Sequence, residues 1–399
     1  MFESLAKKPH RDSRGLLLFI GVLVTAASLR APFTAIGPLT EAIKADAQLS
    51  VTAIGLLNAI PLLAFPLLAP ITPRLARTFG TEASLLVAMT LIASGAVLRS
   101  CFSVFGLYCG TIVLGAGIAI GNVLLPSLIK RAYPHAIAKV TSSYAVAMGL
   151  AAALASAVVV PLSTFSAYTW RAAAAALGIA PFLALVIWIA YLTAGRSKRE
   201  ERPQVEKGAK VFRSLLAWQV TLFMGTNSFI YYIAVAWIPS ILISLGYSSH
   251  QAGFLHGVMQ LSTALAGLLV ISVVGRLPDQ RWIALATSLS TGIGLAGLWL
   301  VGTWAALWVS IFGLGAGATV ILALSFTGLR ARNSTQAAAL SAMSQAIGYS
   351  IAACGPTFAG FLYGVTGTWR SVLLVGVAAA AVMGLLGVFA GRDRFISVA

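Results

Sequence analysis

Charge is what this chain has least of. Asp, Glu, Lys and Arg make up 9% of its 399 residues, against roughly 25% in a soluble globular protein. So thin a polar coat cannot cover a composition that is 59% apolar, which excludes a cytosolic enzyme and a disordered protein. Acids are the scarcest, ten Asp and Glu together, and none falls deep within an apolar run. A membrane-embedded protease or acyltransferase working through paired carboxylates or an H-E-x-x-H metal run therefore lacks its residues. Cys101, Cys109 and Cys354 are the only cysteines. Their odd number and spacing fit no metal site, so they are expected as small core or lipid-facing residues. The glycines at 115, 117, 121, 313, 315 and 317 follow no strand, so they form no phosphate loop and mark close helix approach instead. Nothing resembles an ATP-binding domain. No enzyme activity, metal or cofactor is expected.

What the chain does have is long, continuous apolar runs. A helix crossing a bilayer needs roughly 20 such residues, and twelve stretches qualify: about 15–40, 51–73, 83–100, 104–129, 139–163, 169–193, 214–244, 251–274, 282–300, 303–329, 335–363 and 370–391. They are rich in Ala, Leu and Gly without period-two alternation, which argues against barrel strands. The polar, basic stretch from Met1 to Arg14 runs into the first apolar run with no A-x-A-like site, so it reads as the lead-in to a retained first helix. The expected fold is an all-α integral membrane protein of twelve transmembrane helices, its lipid partner the bilayer.

The net charge of +17 does not denote a nucleic-acid partner, because the cations sit in short clusters between the runs. With both ends of a twelve-span chain on one side, that side collects twenty-two Lys and Arg. It includes Lys7, Lys8, Arg74, Arg77, Lys130, Arg131, Arg330, Arg332, Arg392, Arg394 and seven in the stretch from Arg196 to Arg213. The other side collects Lys44, Arg99, Arg171 and Arg370. This asymmetry predicts cytoplasmic N- and C-termini in a cell inner (plasma) membrane. The mixed-charge stretch 194–213 divides the chain into an N-terminal six-helix bundle (1–193), a cytoplasmic linker and a C-terminal six-helix bundle (214–399).

The two halves repeat each other at an offset near 200 residues. Gly115-Ala-Gly117 matches Gly315-Ala-Gly317, and Lys130 and Arg131 match Arg330 and Arg332. Ser142–Gly149 matches Ser341–Gly348, Gly37-Pro38 parallels Ile238-Pro239, and Ala53–Asn58 parallels Ala252–His256. Six spans being an even number, the repeats run parallel about an axis along the membrane normal, an arrangement of transporters that rock two halves about a midplane site.

This organisation resembles the major facilitator superfamily over essentially the whole chain. Where that family carries G-x-x-x-D-R-x-G-R-R between spans two and three, Pro70–Gly80 here keeps the basic residues and late glycine without the aspartate. The second-half stretch Gly275–Arg281 keeps Asp279 and Arg281. The proline-glycine motif of drug antiporters in span five is absent. Several stretches are similar to the cyanate and 2-nitroimidazole transporter branch: Leu29-Arg30 with Phe33-Thr34, Pro61–Phe65, Gly121–Pro126, Leu128–Arg131, Ala217–Phe223, Leu255–Gly257, Gln336–Ala339 and Ala352–Pro356. The resemblance implies a transporter fold and a small anionic or polar planar solute, cyanate-like or nitroimidazole-like. The alternative is efflux of aromatic compounds or several drugs by the same fold; a channel or sensor is a third reading.

Within the spans the candidate site residues are few. Arg30 is the one charge that falls deep in a span, about 22 Å along the first by helix rise. Placing a guanidinium there costs at least roughly 2.5–3.5 kcal/mol, so it must face water, an anion or fixed acceptors. Its planar donor fork suits a small anion or a nitro group, whereas the bland reading has it capping carbonyls freed by Pro32 and Pro38. Thr34 lies one turn on. Tyr231 is its repeat counterpart and shares a face with Asn227. His256, with Gln260 and Thr263 at i+4 and i+7, makes a polar stripe, and Asn58 is its repeat partner. As the one side chain in a span that ordinarily titrates near neutrality, His256 is the proton-coupling candidate, with protons as the candidate coupling ion. Asn122, Tyr144, Gln345 and Tyr349 complete the expected lining, although singly each could serve as a helix–helix hydrogen bond. The expected partners are a small-molecule substrate and lipid, with no nucleic acid, around a monomer. Cysteines replacing Ser248 and Gln204 are expected to label from opposite faces of the membrane; labelling from one face would break the topology.

Overall fold

A computed structural model describes residues 9–101, 103–164, 169–194, 211–274, 277 and 279–396. These are helical almost throughout, with no strand among them. The helices are α1 (Pro9–Thr34), α2 (Ile36–Ala47), α3 (Val51–Leu68), α4 (Thr72–Phe79), α5 (Thr81–Leu98), α6 (Val104–Ala132), α7 (Ile137–Thr164), α8 (Thr169–Ala176), α9 (Ile179–Thr193), α10 (Leu215–Ser244), α11 (Ser249–Val274), α12 (Arg281–Leu300), α13 (Ala305–Leu329), α14 (Ser334–Thr366) and α15 (Trp369–Ala390). Among the described residues, eleven segments are long and apolar enough to cross a membrane. The 26-residue α11 packs lengthwise against α7 and α13 and takes the twelfth place.

Several boundaries differ from the sequence reading, each for a local reason. The first span is not one helix to residue 40. It bends at Ala35 between α1 and α2, three residues past Pro32, whose ring interrupts the helical ladder. The sixth span divides into α8 and α9 around Gly178. The stretch after the second span is helical, not a loop: Pro73 sits in the first turn of α4, a position that tolerates its missing N–H. Other helix starts are held by side chains. Ser50 accepts from the Ala53 amide (3.2 Å), Ser103 from Gly106 (2.9 Å) and Asn333 from Gln336 (2.9 Å). Most of the expected linker, 195–210, lies outside the described residues.

One correction concerns a single residue. Arg99, expected among the loop charges, is 1% exposed, with Nη1 donating to the Pro32 carbonyl at 2.8 Å. The cap of α5 falls inside the bundle, so Arg99 joins Arg30 as a cation surrounded by protein. Cys101 and Cys354 are exposed and all three cysteines are free.

The helix ends sort into two sets. The α6–α7 and α13–α14 turns share one end with the chain's C-terminus and most of the basic residues. There Arg131 pairs with the buried Glu82 at the start of α5. A second set 199 residues on has Arg330 donating to Gln280 and to the carbonyls of Ala390 and Gly391, each at 3.0 Å. The partly exposed Asp279 carboxylate is held below its ordinary range by hydrogen bonds from Arg281 (2.6 Å to its side chain). We refer to this as the basic end.

At the opposite end the two halves of the chain meet through glycine. A Cβ on Gly55 of α3 would fall 2.5 Å from the Pro356 carbonyl oxygen and 2.8 Å from Thr357 Cα of α14; one on Gly37 of α2 would collide with the Val235 carbonyl of α10. Only a residue without a side chain permits that approach. Gly55→Val is therefore expected to hold α3 and α14 apart at this end. A cysteine at Thr52 should then react several-fold faster with a membrane-impermeant maleimide than in the Gly55 protein. An unchanged rate would show that the contact does not close this end.

Candidate functional site

The central cavity is enclosed by α1, α7, α11 and α13 and measures about 300 Å³. Thr141 and Ser142, within the first turns of α7, and Leu324, near the last turn of α13, place its mouth toward the basic end. From Thr141 to Ala152 the α7 wall runs for about 16 Å at the helical rise. Most of the lining is apolar, including Ala145, Met148, Ala264 and Ile321. Arg30 lies at the inner end, opposite Gln260 and Thr263.

The Arg30 guanidinium donates through Nη2 to the Tyr231 hydroxyl, a bond that crosses from α1 to α10. It also lies 5.2 Å from the centroid of the same ring, within cation–π range. Tyr231 in turn donates to Gln260 Oε1 at 2.6 Å. That fixes the Gln260 amide nitrogen on the side of His256, whose Nε2 is 3.4 Å away. An amide NH2 can only donate, so His256 Nε2 is the acceptor in this arrangement and the ring proton sits on Nδ1. The side chain is fully buried. Four residues thus form one directed chain of hydrogen bonds across α1, α10 and α11, with a permanent cation at one end and a neutral imidazole at the other.

An aromatic wall flanks this chain. Tyr232 packs edge-on against Tyr231 (5.3 Å) and Phe33 (5.6 Å), and Phe65 of α3 stacks on Tyr349 of α14 at 4.2 Å. Tyr144 lines the cavity from α7.

The structure gathers some of the expected residues and not others. Arg30, Tyr144, Tyr231, Gln260, His256 and Tyr349 lie in or beside this chain and wall. Thr34 is buried, and its hydroxyl turns back to the Arg30 carbonyl of its own helix (3.2 Å). Asn122 likewise donates to the Ile118 carbonyl (2.9 Å), and Gln345 is exposed and bonds Ser341 (3.0 Å). Asn58 donates to Ile54 (3.0 Å) and lines a separate small cavity beside Arg99. Asn227 is buried with Oδ1 unpartnered. Sequence reasoning overlooked Phe33, Phe65, Tyr232 and Met148. Aromatic residues are common in any membrane helix; the usable signal was that Tyr232 adjoins Tyr231 and Met148 falls in the repeated Ser142–Gly149 stretch.

An all-helical bundle holding a buried polar chain fits a membrane transporter, and the comparisons agree on that class. Residues 18–353 match the family model described as Major Facilitator Superfamily. The chain belongs to that superfamily, in its cyanate and 2-nitroimidazole transporter branch, and is a multi-pass membrane transporter. It is 45% identical to the 2-nitroimidazole transporter of Escherichia coli (strain K12), over 96% of this chain and 97% of that one. It is 26% identical to the cyanate transport protein CynX of the same organism, over 88% and 91%. Among solved structures, that of the nucleoside transporter NupG (D323A mutant) superposes with a TM-score of 0.78 at 12% identity, covering 95% of this chain and all of that one.

Proposed function

We propose that this protein carries a small anionic or polar planar solute, a cyanate-like anion or a nitroimidazole-like heterocycle, across the cell inner membrane by alternating access. The observation that carries this reading is the Arg30 guanidinium lining the central cavity, bonded to the Tyr231 hydroxyl rather than to a carboxylate. Its charge is left for a ligand to complement. A planar solute fits between the aromatic residues, and negative oxygens or a nitro group suit the donor fork. The names of the two relatives, a 2-nitroimidazole transporter and a cyanate transport protein, support the same class. On this reading residues 1–193 and 214–399 are two bundles joined by the 194–213 linker. The basic end and both termini face the cytoplasm, and the cavity described above is open inward. The substrate contacts are Arg30, Tyr144, Tyr231, Gln260 and Tyr349. In this conformation Thr34, Asn58 and Asn122 bond carbonyls of their own helices and Gln345 bonds Ser341 one turn back. The protein works as a monomer.

The experiment is ligand binding to purified variants. Arg30→Ala is expected to weaken cyanate-like anions by about tenfold to a hundredfold, the range of a hydrogen bond to a charged group, and to weaken neutral nitroheterocycles less. Arg30→Lys keeps the charge but loses the fork, and should fall between them. Normal binding by Arg30→Ala would move the site elsewhere.

His256 is the proposed proton-coupling residue. A proton arriving on Nε2 would face the donor side of Gln260, forcing the amide to turn and with it the hydroxyl of Tyr231. Among the described residues, the hydrogen-bonded route from the imidazole toward Arg30 runs through that amide. His256→Gln should accordingly flatten the pH dependence of transport into proteoliposomes while leaving affinity within a few-fold; an unaltered pH profile would make His256 a packing residue.

A further inference from the structure

Arg99 is a buried cation that nothing in the transport reading uses. It caps α5 at the end opposite the basic one and is 1% exposed. Its single protein acceptor is the Pro32 carbonyl, 2.8 Å from Nη1; Nε and Nη2 are buried with no acceptor among the described residues. The acids near that end are engaged elsewhere. Glu41 lies 3.7 Å from Lys44, and Asp46 pairs with Arg171 at 2.5 Å. A guanidinium cannot discharge itself by losing its proton, and an uncompensated buried charge costs several kcal/mol.

Beside Arg99 is a cavity of about 10 Å³ bounded by Phe33, Leu57, Asn58, Pro61, Thr111 and Leu114. Its volume admits about one water-sized body. Besides Arg99, its polar side chains are Asn58 and Thr111. The Asn58 amide spends one hydrogen on the Ile54 carbonyl (3.0 Å) and keeps the other, while the Thr111 hydroxyl donates to Leu107 (2.7 Å). The rest of the wall is hydrocarbon and one aromatic ring. Phe33, which lines this cavity, packs edge-on against Tyr232.

We infer that Arg99 and Asn58 form a binding site for one small monovalent anion of about chloride size, separate from the central cavity. A cation with two idle N–H groups supplies the charge and the direction, and the second Asn58 hydrogen supplies a further donor. The space excludes sulfate, phosphate and organic anions. This site does not depend on what the protein transports.

The test is thermal unfolding of the purified full-length protein in potassium gluconate, titrated with potassium chloride or bromide at constant total salt. Chloride and bromide are expected to raise Tm by about 2–4 °C at saturation, with sulfate inert. The rise should persist in Arg30→Ala and vanish in Arg99→Met. Equal Tm in chloride and gluconate would mean the cavity holds water only. A rise that survives Arg99→Met, or that disappears with Arg30→Ala, would place the anion elsewhere; either overturns the assignment. Should Arg99→Met fail to fold, Arg99→Lys decides. Loss of the fork should shift the chloride midpoint at least tenfold, and an unmoved midpoint would refute the site.

Discussion

A guanidinium keeps its charge at any pH the protein meets, and in a bilayer that fact constrains everything around it. Arg30 sits where neither lipid nor a carboxylate can answer it. What answers it instead is a line of neutral dipoles: a phenol, an amide and an imidazole, each oriented by the one before. Because the first member is permanently a donor, the polarity of the line is imposed from the Arg30 end. The cavity then follows from packing. Helices bearing these groups must stay near one another without sealing the cation away, and the small residues of α7, α11 and α13 leave that room.

The twofold repeat gives this arrangement its economy. One half supplies the charge, and the other, 201 residues on, supplies the hydroxyl that first meets it. The same logic recurs at the basic end, where Arg131 and Arg330 occupy matching places yet bond an acid in one half and an amide and carbonyls in the other. The matched positions thus differ in their electrostatics.

Much of this was legible without coordinates. Apolar runs of bilayer length announce the helices, the offset near 200 residues announces the pairing of Arg30 with Tyr231, and the i, i+4 spacing puts His256 and Gln260 on one stripe. Polar side chains with short reach were harder to read. Thr34, Asn58 and Asn122 each find an acceptor on their own helix three or four residues back, and sequence cannot say whether a hydroxyl or amide turns inward or back. Gln345 is exposed and bonds Ser341 one turn back on its own helix. Arg99 was misread because a cation at the end of an apolar run usually marks a loop. Its burial depends on α6 passing so close that a Cβ on Gly110 would strike the Arg99 backbone, a tertiary fact with no local signature.

The glycine contacts that close the end opposite the basic one have a mechanical corollary. The contacts identified there, Gly55 on Pro356, Gly37 on Val235 and Gly360 on Val51, are backbone against backbone. Attraction between such surfaces rests on dispersion, which loses a quarter to a half of its depth over a gap of about 0.5–1 Å. A seam with so short a reach has no intermediate grip. Once parted by the width of a hydrogen atom it no longer pulls its edges together, so this end behaves as a snap fastener, shut or released, with little cost spread over the space between.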